Sequence, residues 1–386
     1  MAIRLKEKPI FVIGNERSGT TLVMVMLGQH TRIAVPEVGW LFPRFYPYLH
    51  TYGDLNKEKN LRTLADEMLF GLNRHLWGMD LNPRTAVDEL LAEVKEKSFA
   101  GVYCAMHEMF ARKNGNKPRW GQKTPHNLYF VGQIKECFPD AQFIHIVRDG
   151  RDASVDYLES SFGPANIFCA AENWKMTWNA VKPWREKLSA QEWMDITYED
   201  LVRKPEEVLR SICDFTGEEF EPAMLDFWKG DIGQKRGTTR DHKPLGHAVS
   251  DRYIGIYKEL LSIRDQKIFT AVAGKELAEA GYENVVEPLE ITPADEARWR
   301  EFDGRIRAAL LDAPEGHILF ESYRDWVVDQ REVRKREGIW SEADIPKDMF
   351  PIGHPHEELI VGFRAWKQWK DHFSIKRQYT AKGIVY

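Results

Sequence analysis

Between residues 9 and 28 an apolar segment, Pro9-Ile10-Phe11-Val12-Ile13, meets a loop bounded by Gly14 and Gly19 and passes into a stretch where Leu22, Val25 and Met26 share one stripe. A strand that is apolar at every position must be covered on both faces, which calls for helices on both sides of a sheet. A second apolar run, Phe143-Ile144-His145-Ile146-Val147, precedes Arg148-Asp149-Gly150, and a third, Trp193-Met194-Asp195-Ile196-Thr197, precedes Tyr198-Glu199-Asp200-Leu201. Strands followed by helices predict an α/β chain with a doubly wound, P-loop-like, mostly parallel sheet.

Other segments predict helices. Leu61, Leu64, Ala65, Met68, Leu69 and Leu72 follow the i, i+3, i+4, i+7 rule. Thr85 with Asp88 resembles a capping box opening a helix over 86 to 97, with Asp in place of Glu. Thr292-Pro293 places a proline at the first position of another helix. These assign a helical insertion at about residues 40 to 118 within a core of residues 1 to 262, and a mostly helical C-terminal extension over 263 to 386. A length of 386 residues allows two to three domains at roughly 150 residues each, but the motifs described below spread from Gly14 to Lys258 around one site. Five of the 13 tryptophans (Trp299, Trp326, Trp340, Trp366 and Trp369) fall in the extension, which predicts that it is folded and packed on the core.

A net charge of -5 argues against a nucleic-acid partner bound through bulk basic charge. The four cysteines (Cys104, Cys137, Cys169 and Cys213) lie far apart without zinc-ligand spacing, so no metal is expected, and reduced thiols in a cytoplasmic setting are. With the first strand starting near residue 9 no signal peptide is expected, and no run approaches the roughly 18 apolar residues of a membrane span.

The loop Gly14-Asn15-Glu16-Arg17-Ser18-Gly19-Thr20-Thr21 has the glycine separation of the pattern GxxxxGK[ST], but Thr20 stands at the lysine position and the cation lies three residues earlier, at Arg17. Free backbone N–H groups at a helix start suit an anion. Without the lysine that nucleoside triphosphatases use on the terminal phosphates, ordinary ATP or GTP chemistry is disfavoured.

In this loop the chain resembles the sulfotransferases, whose donor is 3'-phosphoadenosine 5'-phosphosulfate. Arg17-Ser18-Gly19-Thr20-Thr21 is similar to the family's 5'-phosphosulfate loop, and Arg148-Asp149-Gly150-Arg151-Asp152 to its 3'-phosphate motif. The resemblance extends to Tyr198-Glu199-Asp200-Leu201, where the tyrosine lies near the adenine, and to His242 through Ser250 with Gly255 through Lys258, a segment that closes over the donor. It covers roughly residues 8 to 38, 119 to 217 and 235 to 262. It implies donor contacts from Arg17, Ser18, Gly19, Thr20, Thr21, Arg148, Tyr198 and Arg236, with Lys235, Arg240 and Lys258 as further candidates. One position departs. The family carries a serine eight residues after the motif arginine, and here Asp156 stands there, with Ser154 two residues earlier. A carboxylate roughly 5 Å from a phosphate costs about 3 kcal/mol at an effective dielectric near 20. Either Asp156 turns away, toward Arg151 or Arg236, or the 3'-phosphate contact is weakened.

Sulfuryl transfer needs a base for the acceptor's proton. The resemblance is closest to the protein-tyrosine sulfotransferases, where a similar glutamate serves, and this implies Glu37 in Val35-Pro36-Glu37. His126, in Lys123-Thr124-Pro125-His126, is the alternative, because cytosolic members place a catalytic histidine shortly after a lysine. Lys123 matches both branches and, with Arg17, is assigned to the transferring group and the leaving 5'-phosphate, without a metal. Trp40, Tyr46, Tyr48, Tyr52 and Trp77 make the stretch after Glu37 aromatic, which suits a small-molecule, glycan or lipid acceptor and suits packing equally. Family members often dimerise, which leaves a homodimer open. Two other functions fit parts of the pattern: a nucleotide-binding protein without catalysis on the same scaffold, which Asp156 favours, and a P-loop kinase-like phosphotransferase, which the missing lysine opposes.

Overall fold

The computed structural model describes residues 2–71, 77–82, 84–160, 163–230, 233–234, 245–311 and 320–349. Five strands, β1 (Ile10–Ile13), β2 (Ile33–Ala34), β3 (Arg119–Lys123), β4 (Gln142–Val147) and β5 (Trp193–Thr197), form one sheet in the order β2-β3-β1-β4-β5. Every pairing is parallel, with Ile10 opposite Gly121 and Gln142, and Phe143 opposite Trp193. The expected α/β class and doubly wound sheet are therefore present.

The period-two geometry of β1 and β4 explains their continuous apolar runs. Phe11, Ile13 and Phe143 enter one core with Phe42, Tyr103, Trp120 and Phe138, while Ile10, Val12, Ile144 and Ile146 enter the other with Leu22, Val25 and Leu27. Helix α1 (Thr20–Gly28) covers the second face. Helices Leu41–Phe45, Glu58–Gly71, Ala86–Glu93 and α2 (Phe99–Lys113) lie between β2 and β3 and build the first core. The expected capping box at Thr85 does not form. Thr85 Oγ1 bonds the Glu89 side chain, Asp88 pairs with Arg62, and the helix ends at Glu93. The helix expected from Thr292-Pro293 does start at Pro293, and its start carries a capping box, with Thr292 Oγ1 accepting from the Asp295 N–H (3.2 Å) and the Asp295 carboxylate from the Thr292 N–H (3.2 Å).

Both helices described in the last hundred residues pack on earlier elements. Trp299, on Pro293–Leu311, is buried with its ring 5.0 Å from that of Phe168. Arg334, on Phe320–Arg336, is buried and donates to Glu67 Oε1 (2.6 Å) and to the Thr51 carbonyl (2.9 Å). Desolvating such a pair offsets much of its Coulombic gain, so it adds little net stability. Trp340 donates to the Arg331 carbonyl, whereas Trp366 and Trp369 and the side chain of Trp326 lie outside the described residues. The four cysteines are free thiols.

His107 is fully buried between the rings of Tyr103 (4.3 Å) and Trp120 (4.7 Å), and burial lowers its pKa to about 3. The unfolded chain takes up this proton near pH 6.5 and the folded chain only near 3, so acidification through that window must remove stability. The His107 ring resonances are expected to stay those of the neutral form down to about pH 4 while unexposed to solvent. Titration of the folded protein near pH 6.5 would contradict that burial.

Candidate active site

The parallel sheet brings the carboxyl ends of all five strands to one edge, the place where open α/β sheets bind ligands. Arg17 follows β1, Glu37 follows β2, Lys123 ends β3, Arg148 follows β4 and Tyr198 follows β5. Residues far apart in sequence thus meet because their strands are neighbours.

The loop after β1 is shaped by close backbone approach. A Cβ at Gly14 would lie 2.4 Å from the Ile146 carbonyl oxygen. At Gly19, whose φ is 97°, it would lie 2.9 Å from Tyr198 Cδ2. Only glycine allows the loop to nest against β4 and Tyr198 in this way. Arg17 itself is left-handed (φ 67°), a conformation costing of order 1 kcal/mol that accumulates at functional sites.

Arg17, Gly19, Thr20, Thr21, Arg148 and Tyr198 line a cavity of 440 Å³. Its far wall is made by Phe227, Leu245, His247, Ser250, Arg252 and Tyr253. Ser18 is fully buried at the loop, and its Oγ has no hydrogen-bond partner. Lys123 is 6% exposed and its Nζ donates to Thr21 Oγ1 (3.3 Å), which ties the end of β3 to the loop. Glu37 is 4% exposed. His126 Nδ1 lies 3.7 Å from Glu16 Oε1, and its ring sits 4.6 Å from that of Trp40. Of the other aromatics after Glu37, Tyr52 and Trp77 belong to the core, and Tyr48 carries the Arg331 guanidinium at 3.7 Å.

Arg148 is 3% exposed. Nη1 donates to the Arg17 carbonyl (2.8 Å) and to Asp156 Oδ2 (2.6 Å), Nη2 to the Tyr253 carbonyl (3.2 Å), and the guanidinium lies 4.5 Å from the Tyr198 ring centre. Its Nε is buried without a hydrogen-bond partner. Burial works against the arginine's charge, but Asp156 and Tyr198 outweigh it and the pKa is raised. Burial pushes Tyr198 up to about 12, with Arg148 opposing.

Of the two alternatives for Asp156, the turn toward Arg151 is not found: Asp156 faces the motif arginine itself, and lies 4.0 Å from Arg17 Nη2. Arg151 is already taken, bonded through Nη2 to Asp149 Oδ2 (2.7 Å) and stacked 4.1 Å from the Tyr257 ring. Arg236, the other proposed destination, lies outside the described residues with Lys235 and Arg240. Lys258 does not line the cavity; its Nζ is 5.9 Å from the Tyr257 ring centre.

Several residues at the site were given no role by the sequence reading, among them Asp152 and Asn15 within the motifs. Asp152 accepts from the N–H groups of Gly255 (2.7 Å) and Tyr257 (2.9 Å), which pins the segment whose Tyr253 carbonyl meets Arg148. Burial raises the Asp152 pKa to about 6. Asn15 Oδ1 accepts from Asn173 (3.2 Å) and Thr177 (3.3 Å), anchoring the loop to helix Ile167–Lys187. Phe227 and Arg252 have no distinctive spacing, and only the fold brings them to the cavity.

A protein of Aquifex aeolicus, itself uncharacterised, is 26% identical over 238 residues, covering 58% of this chain and 27% of the relative. A protein-tyrosine sulfotransferase of Drosophila melanogaster is 26% identical over 227 residues, covering 57% of this chain and 40% of the relative. The chain therefore spans less than half the length of these two relatives. The solved sulfotransferase domain from the curacin biosynthetic pathway shares the fold, with a TM-score of 0.51 at 21% identity over 73% of this chain and 99% of that domain. The sulfotransferase family model matches residues 9–222, from β1 and its glycine-bounded loop through β3 and β4 to beyond β5, and the chain belongs to the sulfotransferase family.

Proposed function

We propose that this chain transfers a sulfuryl group from 3'-phosphoadenosine 5'-phosphosulfate to a hydroxyl or amine of a small-molecule, glycan or lipid acceptor. The observation that carries this is the cation arrangement at the first loop. The lysine of nucleoside triphosphatases is replaced by Thr20, and its place is served by Arg17 within the loop and by Lys123, delivered from the end of β3 onto Thr21. Two buried orphan atoms, Ser18 Oγ and Arg148 Nε, fit a ligand rich in anionic oxygen, and the 440 Å³ cavity beside Tyr198 suits a nucleotide.

When bound, the donor supplies an activated sulfuryl group with the 5'-phosphate as leaving group. The chain does the rest. Glu37 takes the proton from the acceptor's O–H or N–H as that atom bonds to sulfur. Arg17, Lys123 and the loop N–H groups stabilise charge on the sulfuryl oxygens and on the phosphate oxygen whose bond to sulfur breaks. A sulfuryl group carries less charge than a phosphoryl group, so these fixed cations can meet its demand. Arg148 and Tyr198 hold the nucleoside end.

The test is thermal stabilisation of the full chain by 3',5'-diphosphoadenosine against ATP with Mg²⁺. A rise of several degrees with the former and little with the latter is expected. Stabilisation by ATP with Mg²⁺ alone would return the chain to phosphotransfer, and binding without turnover on any acceptor would make it a nucleotide-binding scaffold.

A further inference from the structure

The Arg148 guanidinium holds an anion supplied by this chain. Asp156 Oδ2 is 2.6 Å from Arg148 Nη1 and 4.0 Å from Arg17 Nη2, and all three residues line the nucleotide-sized cavity. The carboxylate comes from helix α3 (Gly150–Glu159), which starts directly after the motif arginine, so it is placed by rigid backbone rather than by a wandering loop. The side chain that could have served as a neutral hydroxyl is not available: Ser154 Oγ donates to the Gly150 carbonyl (2.7 Å) and is buried. Glu159, on the next turn, lines the same cavity and adds negative charge, while Arg252 on the far wall offsets it.

We infer that Asp156 is a built-in occupant of the 3'-phosphate position and sets how weakly the site discriminates 3'-phosphorylated nucleotides from those with a free 3'-hydroxyl. The inference rests on the donor proposed above. A 3'-phosphate must take Arg148 away from Asp156 and then lie beside the displaced carboxylate. Two unit charges about 5 Å apart at an effective dielectric near 20 correspond to roughly 100-fold in affinity. A free 3'-hydroxyl meets no such conflict. It leaves the Arg148–Asp156 pair intact. The chain thus gives up much of the selectivity that an arginine paired with a neutral hydroxyl would provide.

Calorimetric titration of the full chain with 3',5'-diphosphoadenosine and with 5'-AMP tests this in three forms: unaltered, Asp156→Ser and Asp156→Asn. The unaltered chain should prefer the diphosphate by less than about tenfold. Asp156→Ser should raise diphosphate affinity by about 10- to 100-fold and change 5'-AMP affinity by less than about threefold. Asp156→Asn, which keeps the shape and removes the charge, should recover most of that gain. The 5'-AMP titration doubles as the check that each variant is folded. Unchanged preference in both variants, with 5'-AMP still bound, would overturn the role of Asp156 and leave the proposed donor standing. Binding of neither nucleotide by any of the three forms would overturn the proposed donor itself, and this inference with it.

Discussion

Replacing Glu37 by Gln is expected to lower sulfuryl transfer by about 10²-fold or more while leaving affinity for 3',5'-diphosphoadenosine within about threefold. The substitution keeps the size of the side chain and its capacity to hydrogen-bond, and removes only the ability to accept a proton. Glu37 is 4% exposed and follows β2, the strand that pairs with β3, whose last residue is Lys123. In the proposed function a base in that position would serve the acceptor and not the nucleoside, which is assigned to Arg148 and Tyr198, three and four strands away. The effect should therefore fall on the single-turnover rate with donor saturating. If Glu37→Gln turns over at near-normal rate and His126→Gln does not, the proton goes to His126, which already has Glu16 at 3.7 Å to orient it.

Lys123→Met is expected to reduce kcat by about 10²- to 10³-fold, the range seen when one preorganised charge or donor is removed from a developing oxyanion. Methionine approximates the volume of the lysine stem, so a packing loss does not confuse the result. The lysine is nearly enclosed and reaches Thr21 Oγ1 at 3.3 Å, so its charge is aimed at the loop at low local dielectric. The larger part of the loss should appear in kcat and the smaller in KM for the donor, because charge builds on the bridging oxygen only as its bond to sulfur breaks. Equal loss in donor affinity and no change in kcat would assign Lys123 to ground-state binding alone.

The strands legible in the sequence were those built mainly of apolar residues. β1 and β4 stand out because both their faces are covered, and the runs after them mark the ligand edge. β3 was not legible. Its sequence, Arg119-Trp120-Gly121-Gln122-Lys123, is buried throughout, yet mostly polar. The structure explains why this is tolerated. Arg119 Nε donates to the Lys8 carbonyl (2.7 Å) and Nη1 to the Thr216 carbonyl (2.6 Å), and Gln122 bonds Thr124 Oγ1 (2.6 Å) while accepting from Asn127 (2.6 Å). Buried polar groups are acceptable when satisfied, but the two carbonyls that Arg119 meets lie 111 and 97 residues away and cannot be read from local pattern. β2, two residues long, offers no pattern at all. The motif residues Arg17, Gly19, Thr20, Thr21, Arg148 and Tyr198 could be named in advance because they match the sulfotransferase motifs, and the structure brings them to one cavity. What could not be foreseen was pairing: that Asp156 would choose Arg148, that Arg151 would be spent on Asp149, and that Asp152 would fasten the segment around Tyr253.

Transfer itself remains the most direct test. The full chain is incubated in chelator with donor labelled at sulfur and, separately, with ATP labelled at the γ-phosphate, each against a set of alcohols, phenols, amines, glycans and lipid head groups. The label is then followed by chromatography. Sulfuryl transfer predicts that sulfur label moves onto at least one organic acceptor as 3',5'-diphosphoadenosine accumulates, and that the Glu37→Gln chain loses most of that transfer. Phosphate label moving from ATP, with the sulfur label left on its donor in every mixture, would contradict it.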